Sequence, residues 1–210
     1  MLYHSTTNYR KLLHKIPKPL PRSKLYTTQP QFEQDQLITS LLQKCPNMRI
    51  LRQVHAYVLK RPSPASHYAL TRILAFSAAP PSGDIVYARR LFVRMPHPNI
   101  FTWNSMIRGC SLIQNPTREP ISLYKQLVQL GFPTPNSFTV AFVLKACSTI
   151  LAFFEGRQIH SHAYKYGLDS SPFVQTGLLN FYAKCEEIMM AGLVFDEITD
   201  KNLIAWSAII

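Results

Sequence analysis

The side chains that most often carry chemistry are few in this chain and poorly spaced for it. Cys45, Cys110, Cys147 and Cys185 are separated by 65, 37 and 38 residues, and none forms a Cys-x-x-Cys pair. A compact zinc site needs such close pairs, so metal ligation is not expected. In a cytosolic or organellar-matrix setting these thiols should be reduced and buried in helices. His160 and His162 form a His-x-His pair. On a helix, two such side chains point roughly 200° apart and do not chelate one ion, so they read as surface or packing histidines. Base deamination requires a His-x-Glu string with a downstream Cys-x-x-Cys to hold zinc and its water, and neither occurs. A Gly-rich phosphate loop and a Gly-x-Ser-x-Gly elbow are also missing, and glycine is scarce at 7 residues. The expectation is a protein that is not an enzyme and uses no cofactor.

Charge is the next constraint. The 210 residues include 23 Lys and Arg against 11 Asp and Glu, a net +12. Half of that excess lies in the first 30 residues, on Arg10, Lys11, Lys15, Lys18, Arg22 and Lys24, with no acid before Glu33. Hydroxyl residues accompany these cations, and Pro17, Pro19 and Pro21 forbid a long helix there. Residues 1–34 therefore read as an organellar transit peptide, mitochondrial in preference to chloroplastic, with a disordered basic tail as the alternative. The remaining +6 is available to attract polyanions. Hydrophobic residues make up 47% of the chain, enough for a core, while no apolar run reaches the roughly 18 residues of a membrane span.

The elements that position these groups emerge from self-similarity at long offset. Ala88, Phe92, Asn99 and Trp103 recur as Ala191, Phe195, Asn202 and Trp206, each 103 residues later. Upstream the offset is 105: Leu74 and Phe76 match Leu179 and Phe181, and Arg52, Gln53 and His55 match Arg157, Gln158 and His160. Within one period, apolar residues recur with helical spacing. Trp103, Met106, Ile107 and Cys110 form one stripe. After the Pro116 to Pro120 break comes Ile121, Tyr124, Leu127 and Val128, with Gly131 as the expected C-cap. The next pair comprises Val140, Val143, Leu144 and Cys147, then Phe153, Ile159, Ala163 and Tyr164, ending at Gly167. A third has Val174, Leu178 and Tyr182, then Ile188, Ala191, Val194 and Phe195. Strict alternation typical of strands is missing. One helix pair is too small to bury its own apolar face, so the expected fold is all-α: a right-handed α-solenoid of stacked helical hairpins.

Consecutive units of 37, 35 and 31 residues (100–136, 137–171, 172–202) make up the 103-residue period. The strings NIFTWNSMIRG, SFTVAFVLKAC, EGRQIHSHAYKYGL, FVQTGLLNFYAKC and VFDEITDKNLIAWSAII resemble the plant pentatricopeptide repeat family, in particular its PLS subclass of P, L and S units. The resemblance covers about residues 35–210, in the order L (35–66), S (67–99), P (100–136), L (137–171), S (172–202) and a partial P unit from 203 to 210. The chain stops in mid-helix at Ile210, so it reads as a truncated product or fragment.

That resemblance implies sequence-specific binding of single-stranded organellar RNA, one base per repeat, for C-to-U editing or transcript processing. A deaminase or editing cofactors would be supplied in trans, the chain acting as a monomer. The second, fifth and last residues of a unit are the implied RNA-binding positions. They are Tyr68, Thr71 and Asn99; Phe101, Asn104 and Asn136; Phe138, Ala141 and Ser171; and Phe173, Thr176 and Asn202, with Ile204 and Ser207 starting the next unit. Asn and Thr are short donor and acceptor groups suited to a Watson–Crick edge, and the aromatics supply stacking surface. The implied register, 5′ to 3′, is adenine, pyrimidine, unspecified, adenine. The plainer alternative makes Asn99, Asn136 and Asn202 helix N-caps. A competing function is a tetratricopeptide-type protein scaffold, although the Trp-x2-Leu-Gly-x2-Tyr signature is missing.

Overall fold

The computed structural model describes residues 36, 38–60, 66–198, 201 and 206–207, and the expected transit segment lies outside them. Helices α1 (Met48–Leu59), α2 (Ser66–Ser77), α3 (Ile85–Arg94), α4 (Ile100–Ser111), α5 (Glu119–Leu130), α6 (Ser137–Thr149), α7 (Phe153–Lys165), α8 (Pro172–Lys184) and α9 (Ile188–Glu197) follow one another, and strands do not occur among the described residues. The chain divides into compact units at Met1–Ile73 and Leu74–Ile210, the boundary falling within α2. In the first, Leu51, Val54 and Val58 of α1 and Ala69 and Ile73 of α2 are buried.

The second unit is a solenoid of helical hairpins: α4 with α5, α6 with α7, and α8 with α9. First helices of successive hairpins pack on each other, α4 on α6 and α6 on α8, forming one layer, and the second helices form the other. Each boundary has a local cause. Asp84, Asn99 and Asn136 cap α3, α4 and α6, their side chains accepting from backbone N–H groups of Tyr87, Thr102 and Thr139. Pro120 and Pro172 open α5 and α8, where a missing N–H costs nothing. Gly131 and Gly167, at φ 72° and 65°, follow α5 and α7 in the left-handed region that glycine enters without strain.

The apolar stripes are the core. Trp103, Met106, Ile107 and Cys110 are all buried, as are Val140, Val143, Leu144 and Cys147 on the neighbouring helix. Four positions correct the sequence expectation: Tyr164 and Ile188 are exposed, and Val128 and Phe153 are only half-buried, while Leu123 is buried. Tyr164 follows the buried Ala163 by one residue, about 100° around the helix from the core. The thiols need a similar correction. Cys110 and Cys147 are buried in α4 and α6, and burial pushes both thiols up to about 12, leaving them inert. Cys45 and Cys185 are half-buried and lie just outside helices.

Hairpins are tied by polar contacts as well. Arg89 of α3 donates through Nε to Glu119 Oε1 at 2.7 Å and through its second nitrogen to Oε2, holding the Glu119 carboxyl below its usual range. Arg118 meets Glu155 of α7 through a single guanidinium nitrogen, donating to Oε1. His160 pairs with Tyr182 Oη at 2.7 Å and His162 with Tyr124 Oη at 3.2 Å, so the His-x-His residues reach in opposite directions to different helices. Helix α4 sits close to the end of α2 because Gly109 has no side chain: a Cβ there would lie 2.5 Å from the Ala78 carbonyl oxygen. Gly109→Ala is expected to cost about 1–3 kcal/mol, read from thermal or urea unfolding, because a backbone atom and not a mobile side chain must give way.

Candidate nucleic-acid interface

Among the exposed aromatic rings, four recur at the same place in successive first helices. Tyr68, Phe101, Phe138 and Phe173, each in the first turn of α2, α4, α6 or α8, are 44–55% exposed. The burial stripe of each helix lies elsewhere, so these rings are left for something outside the fold. Phe138 and Phe173 already touch, centroids 4.8 Å apart. Phe101 and Phe138 instead line a cavity of about 300 Å³, with Asn104, Ser105, Arg108 and Phe142 among its other walls. Arg108 lies over the Phe142 ring, 5.9 Å from its centroid. A cavity of that volume has room for one nucleobase beside the two rings.

At the cavity wall, Asn104 joins a network spanning two hairpins. Its Nδ2 donates to Asn136 Oδ1 at 3.0 Å, and its Oδ1 accepts from Thr139 Oγ1 at 2.7 Å. Thr139 Oγ1 also accepts from the Asn136 backbone N–H at 3.0 Å, and Asn136 Oδ1 accepts from the Thr139 backbone N–H at 3.1 Å. The fifth and last residues of the 100–136 unit are thus in direct contact, 32 positions apart in sequence. Asn136 is a helix cap and a partner of Asn104 at once.

Elsewhere the sequence-selected residues are less united. Asn99 caps α4, accepting from the backbone and the hydroxyl of Thr102 at 2.9 Å. Thr71 is buried and its hydroxyl donates to the His67 carbonyl. In the 137–171 unit, Ala141 has no polar atom on its side chain, and Ser171 precedes α8 without a side-chain capping bond. Thr176 is exposed and donates to the Pro172 carbonyl at 2.8 Å. Asn202 and Ile204 lie outside the described residues, and Ser207 is exposed.

Sequence reasoning overlooked two features. Thr139 holds the Asn104–Asn136 pair, and a set of cations follows the aromatic stripe. Arg108 and Lys145 stand seven residues after Phe101 and Phe138, and Lys184 stands eleven after Phe173; these helical spacings share a face. All three are exposed, and α4, α6 and α8 contain no acidic residue. The acids lie on or beside second helices, as Glu119, Glu155, Glu187, Asp196 and Glu197. The i+7 and i+11 spacing was the available signal.

No family model matches the chain. Curated relatives do. A pentatricopeptide repeat-containing protein of Arabidopsis thaliana labelled chloroplastic/mitochondrial is 30% identical over 99% of this chain and 33% of its own length. Two others from the same plant, both labelled chloroplastic, are 35% identical, over 81% and 79% of this chain and 28% and 22% of their own lengths. The chain therefore spans a third or less of these relatives. Their agreement across nearly the whole sequence and the stacked helical hairpins lead to one assignment: this chain belongs to the pentatricopeptide repeat family.

Proposed function

We propose that the chain binds single-stranded RNA in an organelle, one base per hairpin, as a specificity factor for C-to-U editing or transcript processing. The observation that carries this reading is the cavity lined by Phe101 and Phe138, with the Asn104 amide at its wall and bonded to Asn136. Two rings stack a base, and short amides read its edge. Arg108, Lys145 and Lys184 supply cations for the phosphates without opposing acids on their helices. The role is recognition: the reacting groups for any base chemistry come from another protein, and the chain works as a monomer.

An organellar destination is supported by the labels of the relatives and by the basic, acid-free N-terminus. All three labels name the chloroplast and one adds the mitochondrion, so they do not support the preference for mitochondria expected from the sequence. No helix among the described residues is long and apolar enough to cross a membrane.

The test is binding to short RNAs carrying adenine, pyrimidine, any base, adenine. Asn104→Ala is expected to reduce discrimination at the second base by about tenfold, the lower part of the 1–3 kcal/mol range for a good side-chain contact to a base edge. Thr176→Ala should do the same at the fourth base only. A protein-binding scaffold would show no change in base preference with either variant.

A further inference from the structure

The hydrogen bonds around Asn104 have only one consistent assignment of oxygen and nitrogen. The Thr139 backbone N–H can only donate, so the Asn136 amide atom 3.1 Å from it is the oxygen. The Asn104 amide atom 3.0 Å from that oxygen must then be Nδ2. This turns Asn104 Oδ1 towards Thr139 Oγ1, 2.7 Å away. The hydroxyl already accepts from the Asn136 backbone N–H, and its one hydrogen goes to the nearer of two oxygens, Asn104 Oδ1 at 2.7 Å, in preference to Asn136 Oδ1 at 3.0 Å. Both amide oxygens are engaged inside the network. Among the described residues, the second N–H of Asn104 and the NH2 of Asn136 have no hydrogen-bond partner.

We infer that Thr139, the third residue of the hairpin that follows, is a positioning residue for base reading: its hydroxyl locks the Asn104 and Asn136 amides so that they offer only donors to the base. The inference rests on the RNA-binding reading above. Its consequence is discrimination between pyrimidines of nearly equal size. On the Watson–Crick edge, cytosine presents O2 and N3 as adjacent acceptors, whereas uracil places an N3–H donor between its two oxygens. Locked donors match the first and oppose the second. Without the Thr139 hydroxyl, Asn104 Oδ1 loses its partner, and only the Nδ2 bond to Asn136 still opposes a turn of the amide that would accept from uracil N3–H. The next hairpin interface serves as an internal contrast. There the corresponding residues are Ala141, Ser171 and Val174, none of which reproduces the network.

The full chain is tested against two short RNAs that differ only in cytosine or uracil at the second base of the register. The wild type is expected to prefer cytosine by about tenfold. Thr139→Val, which removes the hydroxyl at nearly constant volume, should bring the ratio close to one, and Thr139→Ser should restore it. If RNA still binds Thr139→Val with the wild-type ratio, the role of Thr139 is overturned and the RNA reading stands. If the wild type binds no RNA, both are overturned. A second measurement needs no variant: the Asn104 side-chain NH2 should show slowed exchange with solvent and two well-separated proton resonances. Exchange at the rate of a free amide overturns the lock even if Thr139→Val fails to fold.

Discussion

Replacement of Phe181 by alanine is expected to lower the stability of the hairpin stack by about 3–5 kcal/mol, the largest loss available from a single side chain in this unit. The ring has no exposed surface. It lies nearly parallel to Phe153 of α7, 16° between planes and 6.4 Å between centroids, and beside Tyr182 at 5.0 Å. It also occupies the space that Gly156 leaves: a Cβ on Gly156 would fall 2.1 Å from Phe181 Cζ. Glycine and phenylalanine thus form one packing unit. Because α8 is held between α6 and α9, the void left without the ring lies inside the stack, where relaxation is limited and the cavity cost is high. Urea unfolding of the chain checks this, and a loss below about 1 kcal/mol would mean that α7 and α8 collapse together and that their interface is not close-packed. Gly156→Ala combined with Phe181→Ala should recover part of the loss, since each change relieves what the other creates.

Much of this architecture was legible because it repeats. The 103-residue offset pairs Phe92 and Trp103 with Phe195 and Trp206, and the structure places both pairs edge to face, at 4.8 Å and 82° and at 4.9 Å and 72°. Stripes at helical spacing located the core for the same reason: burial within a helix is periodic. Residues at helix ends escaped the pattern, as Ile188 in a first turn and Tyr164 in a last turn show, because a terminal turn has fewer neighbours to bury it. The Asn104–Asn136 contact was accessible only through the family resemblance, since no local periodicity links residues 32 apart. Cap and reader also looked like rival roles for Asn136. They are compatible because an amide has two ends: Oδ1 caps α6 and accepts from Asn104, while Nδ2 is left without a bond to the described residues. Thr139 passed unnoticed because a buried threonine in a first helical turn reads as part of a capping box.

Phe138→Ala is expected to weaken RNA binding by tenfold to a hundredfold with little change in stability. One ring serves two hairpins. On one side Phe138 faces the cavity it shares with Phe101, and on the other it rests 4.8 Å from Phe173. A base held between two rings needs them about 7 Å apart, twice the optimal carbon–carbon contact of roughly 3.5 Å. The cavity lined by Phe101 and Phe138 is open in the free chain, whereas the contact with Phe173 must widen before a base can enter. Loss of Phe138 therefore removes a stacking wall from the base read by Asn104 and Asn136, and leaves Phe173 without its partner. At about 1–3 kcal/mol per stacked base, removing even one wall gives the stated range. The ring is 44% exposed, so the fold loses little. Phe138→Tyr keeps the face and should bind nearly as the wild type does. Phe173→Ala, acting where the gap is closed, should cost less than Phe138→Ala and could open that gap without the initial separation of rings. Fluorescence anisotropy with a labelled RNA of the expected register, beside a thermal melt of each variant, measures both quantities. Equal affinities for wild type and Phe138→Ala at unchanged stability would exclude the exposed ring from the binding surface.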